Sequence, residues 1–330
     1  MNSSTSPAIS APASHNGVKT PTSLDALRAI QSNLERVIKG KSEAIRLILI
    51  ALASGGHVLL EDAPGSGKTT LAKALAASMS GEFRRVQFTP DLLPADITGS
   101  SFYNPADGSF TFRPGPVFCN VLLADEINRT SPRTQSALLE VMSENQVTTD
   151  GRRQKLPDPF FVVATQNPSD YAGTYPLPEA QLDRFMLRVS LGYPDAKSEL
   201  EILFSQNQHH PLEDLGAVVS TQQILAMQND VKNVRFEQSI GEYVVNLVSA
   251  SRNDSRLRIG LSPRGSLSLY RTAQALAWTQ GRDFVTPDDV RELAVPVLAH
   301  RLVLETKARY AGATSEDIVR ELLEKTPVPR

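Results

Sequence analysis

The residues with the most chemical content stand at 59–71, which reads LLEDAPGSGKTTL. Asp62, Ala63, Pro64, Gly65, Ser66, Gly67, Lys68 and Thr69 fit the phosphate-cradling pattern Gly-x-x-x-x-Gly-Lys-Ser/Thr, with Thr70 following. Glycines let backbone N–H groups close around phosphate oxygens with no Cβ in the way. The helix that begins here points its positive end at the same anion. Lys68 has the reach to set a compact charge against β- and γ-phosphates, and the Thr69 hydroxyl is a ligand for Mg²⁺. Asp62 is a departure, because the pattern usually opens on glycine there. Aspartate tolerates the left-handed backbone such a position often needs. Its carboxylate is expected to point away from the phosphates.

The second cluster closes an apolar run, VFCNVLLA at 117–124, with Asp125-Glu126. Carboxylates at a strand's C-terminal end beside a phosphate loop form the Walker B arrangement. Asp125 would hold Mg²⁺, mostly through water, and Glu126 would orient and polarise an attacking water. A third apolar run, 160–165, delivers Gln166-Asn167 to the same edge, where the Asn167 amide could hold water or the γ-phosphate. Without that context each of these is an ordinary strand end.

These groups need a scaffold, and the hydrophobic pattern describes one. Residues 1–22, rich in Ser, Ala, Pro and Thr, read as a disordered tail. Helical spacing begins after Ser23, taken as an N-cap, and a second helix covers 42–54. The turn between them, 37–41, could line an adenine pocket or be a plain helix–helix turn. Apolar runs at 57–60, 83–88, 117–125, 160–165 and 186–191 read as strands, separated by helices at 70–80, 131–145 and 178–185. Alternation of this kind implies a parallel, doubly wound α/β sheet with its ligand at the strand C-termini. Hairpins are expected at 101–117, around Asp107-Gly108, and at 146–156, around Asp150-Gly151. From 194 onward the strand signals stop. Helices are expected at 195–206, 221–232, 237–252, 264–280, 287–301 and 315–325, with Ser220 and Gln223 as a capping box and Pro296 as a kink. The division is therefore a tail (1–22), a nucleotide-binding α/β domain (23–193) and a helical domain (194–330).

Composition narrows the function. The chain has 330 residues, 41% apolar and 21% charged, with a net charge of −2. That balance offers no general footprint for nucleic acid. No run approaches the ~20 apolar residues of a membrane span, and the N-terminus does not read as a signal peptide. The single cysteine, Cys119, excludes an internal disulfide, fits a reducing, cytoplasmic setting, and reads as a small buried hydrophobe. His209-His210 lack partners at metal spacing. The basic pairs Arg84-Arg85 and Arg152-Arg153 read as solvated faces.

Taken together, FTPDLLPADITG at 88–99, LLADEINR at 122–129, TQSALLE at 134–140, ATQNP at 164–168, LPEAQLDRF at 177–185 and LSPR at 261–264 resemble the MoxR family of AAA+ ATPases. The resemblance covers nearly everything after residue 23, and Asp62 also occurs in similar sequences of the family. It implies a sheet of order 5-1-4-3-2, an all-α lid, ATP and Mg²⁺ as ligands, and a homohexameric ring. By matching motif, Asn167 is sensor 1, Arg264 sensor 2, and Arg184 the arginine finger presented to a neighbour's ATP. The hairpin at 101–117 matches the insertion in helix 2, and that at 146–156 the hairpin before sensor 1. Family members act as chaperone-like remodellers, often beside a protein with a von Willebrand factor A domain, assisting complex assembly or metal-cofactor insertion. The competing expectations are a nucleic-acid motor, which the charge balance argues against, a chelatase ATPase subunit, and a nucleotide-gated scaffold without turnover, which Glu126 argues against.

Overall fold

A computed structural model describes residues 22–62, 65–106, 108–167, 174–205 and 211–329. All of the expected tail at 1–22 except Thr22 lies outside the described residues, as do Ala63, Pro64, Asp107 and His209-His210.

The central sheet has five strands: β1 (Val58–Glu61), β2 (Phe83–Gln87), β3 (Val121–Asp125), β4 (Phe161–Gln166) and β5 (Leu187–Val189). Every neighbouring pair is parallel, in the order β5-β1-β4-β3-β2, which is the expected 5-1-4-3-2. The register sets Leu60 beside Thr165, Leu123 beside Val163 and Gln87 beside Asp125. The strands therefore end on one edge, where Glu61, Gln87, Asp125 and Gln166 bring polar C-terminal residues together.

Period-two alternation sorts the strand side chains into two cores. Val58, Leu60, Val121, Leu123, Phe161, Val163, Leu187 and Val189 face one side. Leu59, Leu122, Ala124, Val162 and Ala164 face the other. The second side is covered by the helix Pro132–Glu144, through Leu138, Leu139 and Met142. The first is covered by Ser23–Val37, Ser42–Ala53 and Lys68–Ser78, and its core continues without a break into Leu247, Leu269, Leu276, Leu293 and Val297 of the C-terminal helices. The helical part is thus packed onto the sheet's first face, through helices that flank the phosphate loop.

Helix starts follow cap chemistry. The first helix is capped by Thr22, one residue before the expected Ser23. Thr22 accepts from the Asp25 N–H and the Asp25 carboxylate returns the bond. Ser131 with Pro132 and Ser220 with Gln223 cap as expected. Both hairpins form, Gly99–Asn104 with Ser109–Pro114 and Gln146–Thr149 with Arg152–Lys155. The second turns through Asp150 and Gly151, both at positive φ, as a two-residue hairpin loop requires.

The C-terminal part is helical: Ala196–Ser205, Thr221–Lys232, Gln238–Arg252, Pro263–Thr279, Pro287–Leu298, Thr306–Tyr310 and Ser315–Lys325. A short antiparallel pairing of Leu257–Ile259 with Val303–Leu304 is added to it. Pro296 lies inside its helix, which passes two residues later into the 3₁₀ turn Ala299–Arg301. No helix among the described residues is long and apolar enough to cross a membrane.

Candidate nucleotide site

The loop after β1 ends in Gly65 and Gly67 at φ +83° and +91°. A Cβ added at either would meet no atom within 4 Å, so the left-handed backbone, not crowding, is what calls for glycine. Gly67 caps Lys68–Ser78 without a side-chain bond, which leaves the first-turn N–H groups for an anion. The Ser66 hydroxyl is buried with no partner. Lys68 Nζ donates to the Asp62 carbonyl at 2.8 Å.

Asp62 is buried, and its carboxylate turns away from the loop, as expected. It accepts from Ser190 Oγ at 2.7 Å, from the Leu191 N–H at 2.6 Å and from the Gly192 N–H at 2.9 Å. The expected backbone reason is corrected. Among the described non-glycine residues the left-handed ones are Ser80, Glu126, Asn145 and Asp150, and Asp62 is not one of them. Its use lies in the side chain, which ties the phosphate loop to the segment leaving β5.

A cleft of about 360 Å³ is lined by Gly65, Ser66, Gly67, Lys68, Thr69 and Thr70 from the loop, with Arg85, Asp125, Glu126 and Asn167 from the strand ends. Thr165 organises the acidic pair. Its hydroxyl donates to Asp125 Oδ1 at 2.6 Å and accepts the Glu126 N–H at 2.8 Å. Glu126 itself sits at φ 58°, ψ 51°. A non-glycine residue pays for that conformation about 1–3 kcal/mol, and such strain clusters at functional positions. Its Oε2 accepts from Gln87 Nε2 at 2.8 Å and Arg129 Nη1 at 2.9 Å. Asp125 Oδ2 accepts from Arg85 Nη2 at 2.7 Å.

Arg85 corrects the reading of Arg84-Arg85 as one solvated face. Arg84 pairs with exposed Glu82, whereas Arg85 turns into the cleft. Arg85 and Gln87 are two residues apart on an edge strand and so share a face toward the β3 carboxylates. That alternation was visible in FRRVQ, but the partner strand was not. No group of three or more His, Cys, Asp or Glu able to hold a metal occurs among the described residues. The donor set of Thr69 and Asp125 beside a phosphate loop fits Mg²⁺, which keeps most of its waters and takes one or two protein oxygens.

Arg184 and Arg264 are placed elsewhere. They line a second cavity of about 390 Å³, which shares no lining residue with the first and also takes in His57, Asp183, Ser268 and Arg271. Arg184 Nη1 donates to the Leu139 carbonyl at 2.6 Å and to Ser143 Oγ at 2.7 Å, while its Nε is buried without a partner. His57 is buried. Burial pulls its pKa down to about 4, against the Met142 carbonyl bond that raises it. It is therefore neutral near pH 7, with Nδ1 accepting from the Val162 N–H and Nε2–H donating to Met142.

Comparisons with known proteins agree with this geometry. Residues 57–187 match the family described as ATPase family associated with various cellular activities (AAA), and residues 249–322 the AAA lid domain. The chain is 50% identical to YeaC of Bacillus subtilis (strain 168), over 90% of this chain and 93% of that one. It is 40% identical to chaperone MoxR1 of Mycobacterium tuberculosis (strain ATCC 25618 / H37Rv), over 90% and 81%. A crystal structure from Cytophaga hutchinsonii ATCC 33406 superimposes with a TM-score of 0.86 at 38% identity, covering 93% of this chain and 96% of that one. The sheet order, the phosphate loop, the helical lid and these relatives together establish that the chain belongs to the MoxR family of AAA ATPases.

Proposed function

We propose that this protein hydrolyses ATP with Mg²⁺ and uses the cycle to remodel protein clients, as a homohexameric ring in the cytoplasm. Gly65, Ser66 and Gly67 surround the phosphates, and Lys68 exchanges the Asp62 carbonyl for phosphate oxygens. Thr69 and Asp125 would hold Mg²⁺, which would supply charge neutralisation on the phosphates. Glu126 takes the role of polarising the attacking water once it leaves Gln87 and Arg129, and the Asn167 amide orients that water or the γ-phosphate.

The observation that carries this reading is the split of the site. The cleft holds what is needed to bind and polarise, while Arg184 and Arg264 open into a different cavity. On this reading both arginines serve the ATP of an adjacent subunit, where each meets charge that develops in the transition state. The same division supports a ring, because a subunit alone has half a site. A partner with a von Willebrand factor A domain, and roles in complex maturation or metal-cofactor insertion, follow from the family; a chelatase-type ATPase role is the second reading. A nucleic-acid motor is disfavoured by the net charge of −2.

The test mixes two inactive proteins. Lys68→Ala should lose most ATP affinity by calorimetry. Arg184→Ala should bind ATP and lose ~10³-fold or more in turnover, the worth of an arginine finger. In mixed rings an intact Lys68 cleft sits beside an intact Arg184, so activity should return. A mixture that stays dead overturns action between subunits.

A further inference from the structure

Arg184 and Arg264 come from distant parts of the chain, and one phosphate group can meet both only if their spacing is fixed. The group that lies between them is Arg301, which neither the motifs nor the resemblance singled out. Its side chain is 1% exposed. It makes five hydrogen bonds: Nε to the Val297 carbonyl (2.8 Å), Nη1 to the Asp183 carbonyl (2.8 Å) and to the Asp183 carboxylate, and Nη2 to the Phe185 carbonyl (2.6 Å) and Ser268 Oγ (2.9 Å). The planar fork thus holds the backbone on both sides of Arg184. His300 Nε2 adds a second donor to the Phe185 carbonyl at 3.1 Å. The other Asp183 oxygen accepts from Ser262 Oγ at 2.8 Å, and Ser262 caps the next helix by accepting the Arg264 N–H at 3.1 Å. Asp183 therefore joins the backbone of Arg184 to Ser262 and Arg264, and Arg301 braces the same junction by tying Asp183 and Phe185 to Ser268 on the helix that Arg264 begins.

We infer that Arg301 is a positioning residue that locks Arg184 and Arg264 into one rigid unit, so that a movement of the lid presents both to the neighbour's nucleotide together. The inference rests on the proposed action of the two arginines between subunits. Stability alone gives a weak reason for such a group. An apolar side chain of similar volume is often as stabilising as a buried ion pair, whereas the guanidinium fork fixes directions that an apolar residue does not. Lysine could pair with Asp183 but could not reach the Asp183 and Phe185 carbonyls and Ser268 at once.

The experiment uses full-length protein at ring-forming concentration. Arg301→Gln should keep ATP affinity at its own cleft by calorimetry and lose ~10²-fold in kcat, the loss a misplacement of ~1 Å brings. Arg301→Lys keeps the buried charge pair and so covers the case in which Gln does not fold; it should show the same pattern with a smaller loss. Mixed with Lys68→Ala, either variant should regain turnover, because the Lys68→Ala subunit donates correctly placed arginines. A residue that only stabilises the fold predicts near-normal kcat in the folded variant, and that result overturns the inference. So does loss of kcat with no recovery on mixing, when Arg184→Ala does recover under the same conditions. If Arg184→Ala fails to recover as well, the between-subunit reading falls and this inference with it.

Discussion

Asp62→Gly places the commoner residue at the head of the phosphate loop, yet it should damage the protein. The carboxylate is buried and accepts three hydrogen bonds of 2.6–2.9 Å from Ser190, Leu191 and Gly192. Bonds to a charged acceptor contribute roughly 1.5–3 kcal/mol each, and a buried N–H left unpaired costs about 1–3 kcal/mol. Water can replace part of this at exposed Ser190 and half-buried Gly192, but not at buried Leu191. Glycine adds about 0.5–1 kcal/mol of backbone entropy. A local loss of about 3–5 kcal/mol follows, and about 1–3 kcal/mol for Asp62→Asn, which keeps one acceptor. Amide hydrogen exchange reads this directly. The segment 187–193 should exchange at least ~10²-fold faster in Asp62→Gly, since 1.4 kcal/mol is a factor of ten. ATP affinity should change little, because the carboxylate faces away from the cleft. Unchanged protection at Leu191, or an ATP affinity that collapses along with it, would refute the reasoning.

Three further outcomes are expected. Glu126→Gln should bind ATP normally and lose ~10²–10⁴-fold in turnover, because the amide keeps the shape without polarising water; wild-type hydrolysis would place the catalytic carboxylate elsewhere. Arg85→Ala should lower the Mg²⁺ concentration for half-maximal nucleotide binding by roughly threefold, since a half-exposed cation on Asp125 competes with the metal by about 0.2–1 kcal/mol; a raised requirement would mean that Arg85 assists the phosphates. Acid should weaken the fold through His57, whose pKa is about 4 when folded and 6.5 when exposed. As pH falls below 6.5 the unfolded chain takes up the proton first, so stability is lost between 6.5 and 4, by up to about 3 kcal/mol. Burial lowers His300 in the same direction. The urea midpoint of His57→Gln should fall less steeply over that window; parallel slopes would remove His57 from the account.

What was legible depended on how local the signal was. The phosphate loop, Asp125-Glu126, both hairpins and most helix caps are written in contiguous residues. Hairpin 146–156 needs only Asp150-Gly151 and alternating neighbours, and it forms with both turn residues at positive φ. The groups that escaped act across long separations. Arg85 became meaningful only when β2 was set beside β3, which is 40 residues away at Asp125. Arg301 looked like the end of an amphipathic helix, and its partners Asp183 and Phe185 lie 118 and 116 positions earlier. The strand Val303–Leu304 is two residues long and exists only because Leu257–Ile259 lies beside it. Thr22 displaced Ser23 as the cap because Asp25, not Ala26, offered the returning carboxylate. Assigning Arg184 and Arg264 to catalysis by motif said nothing of where they open, and they open away from the phosphate loop.

The position of the helical part limits how it can respond to nucleotide. Helices 263–279 and 287–298 share one buried core with 23–37 and 42–53 on the sheet's first face. Packed cores switch between discrete arrangements and do not deform continuously, so lid motion has to carry those flanking helices or break their contacts. The chain leaves β5 toward the helical part through Gly192, at φ +61°, and exposed Tyr193. That exit is fastened to the phosphate loop by Asp62, and on its other side the Tyr193 carbonyl accepts from Lys41 in the turn before helix 42–53. Lys68 holds the carbonyl of the same Asp62. A phosphate that draws Lys68 away therefore acts on the residue that fastens the exit from β5. On the proposed mechanism the signal then reaches the arginine pair through Asp183 and Arg301, and a ring in which Asp62→Asn binds ATP but turns it over slowly is the outcome that would join the two ends.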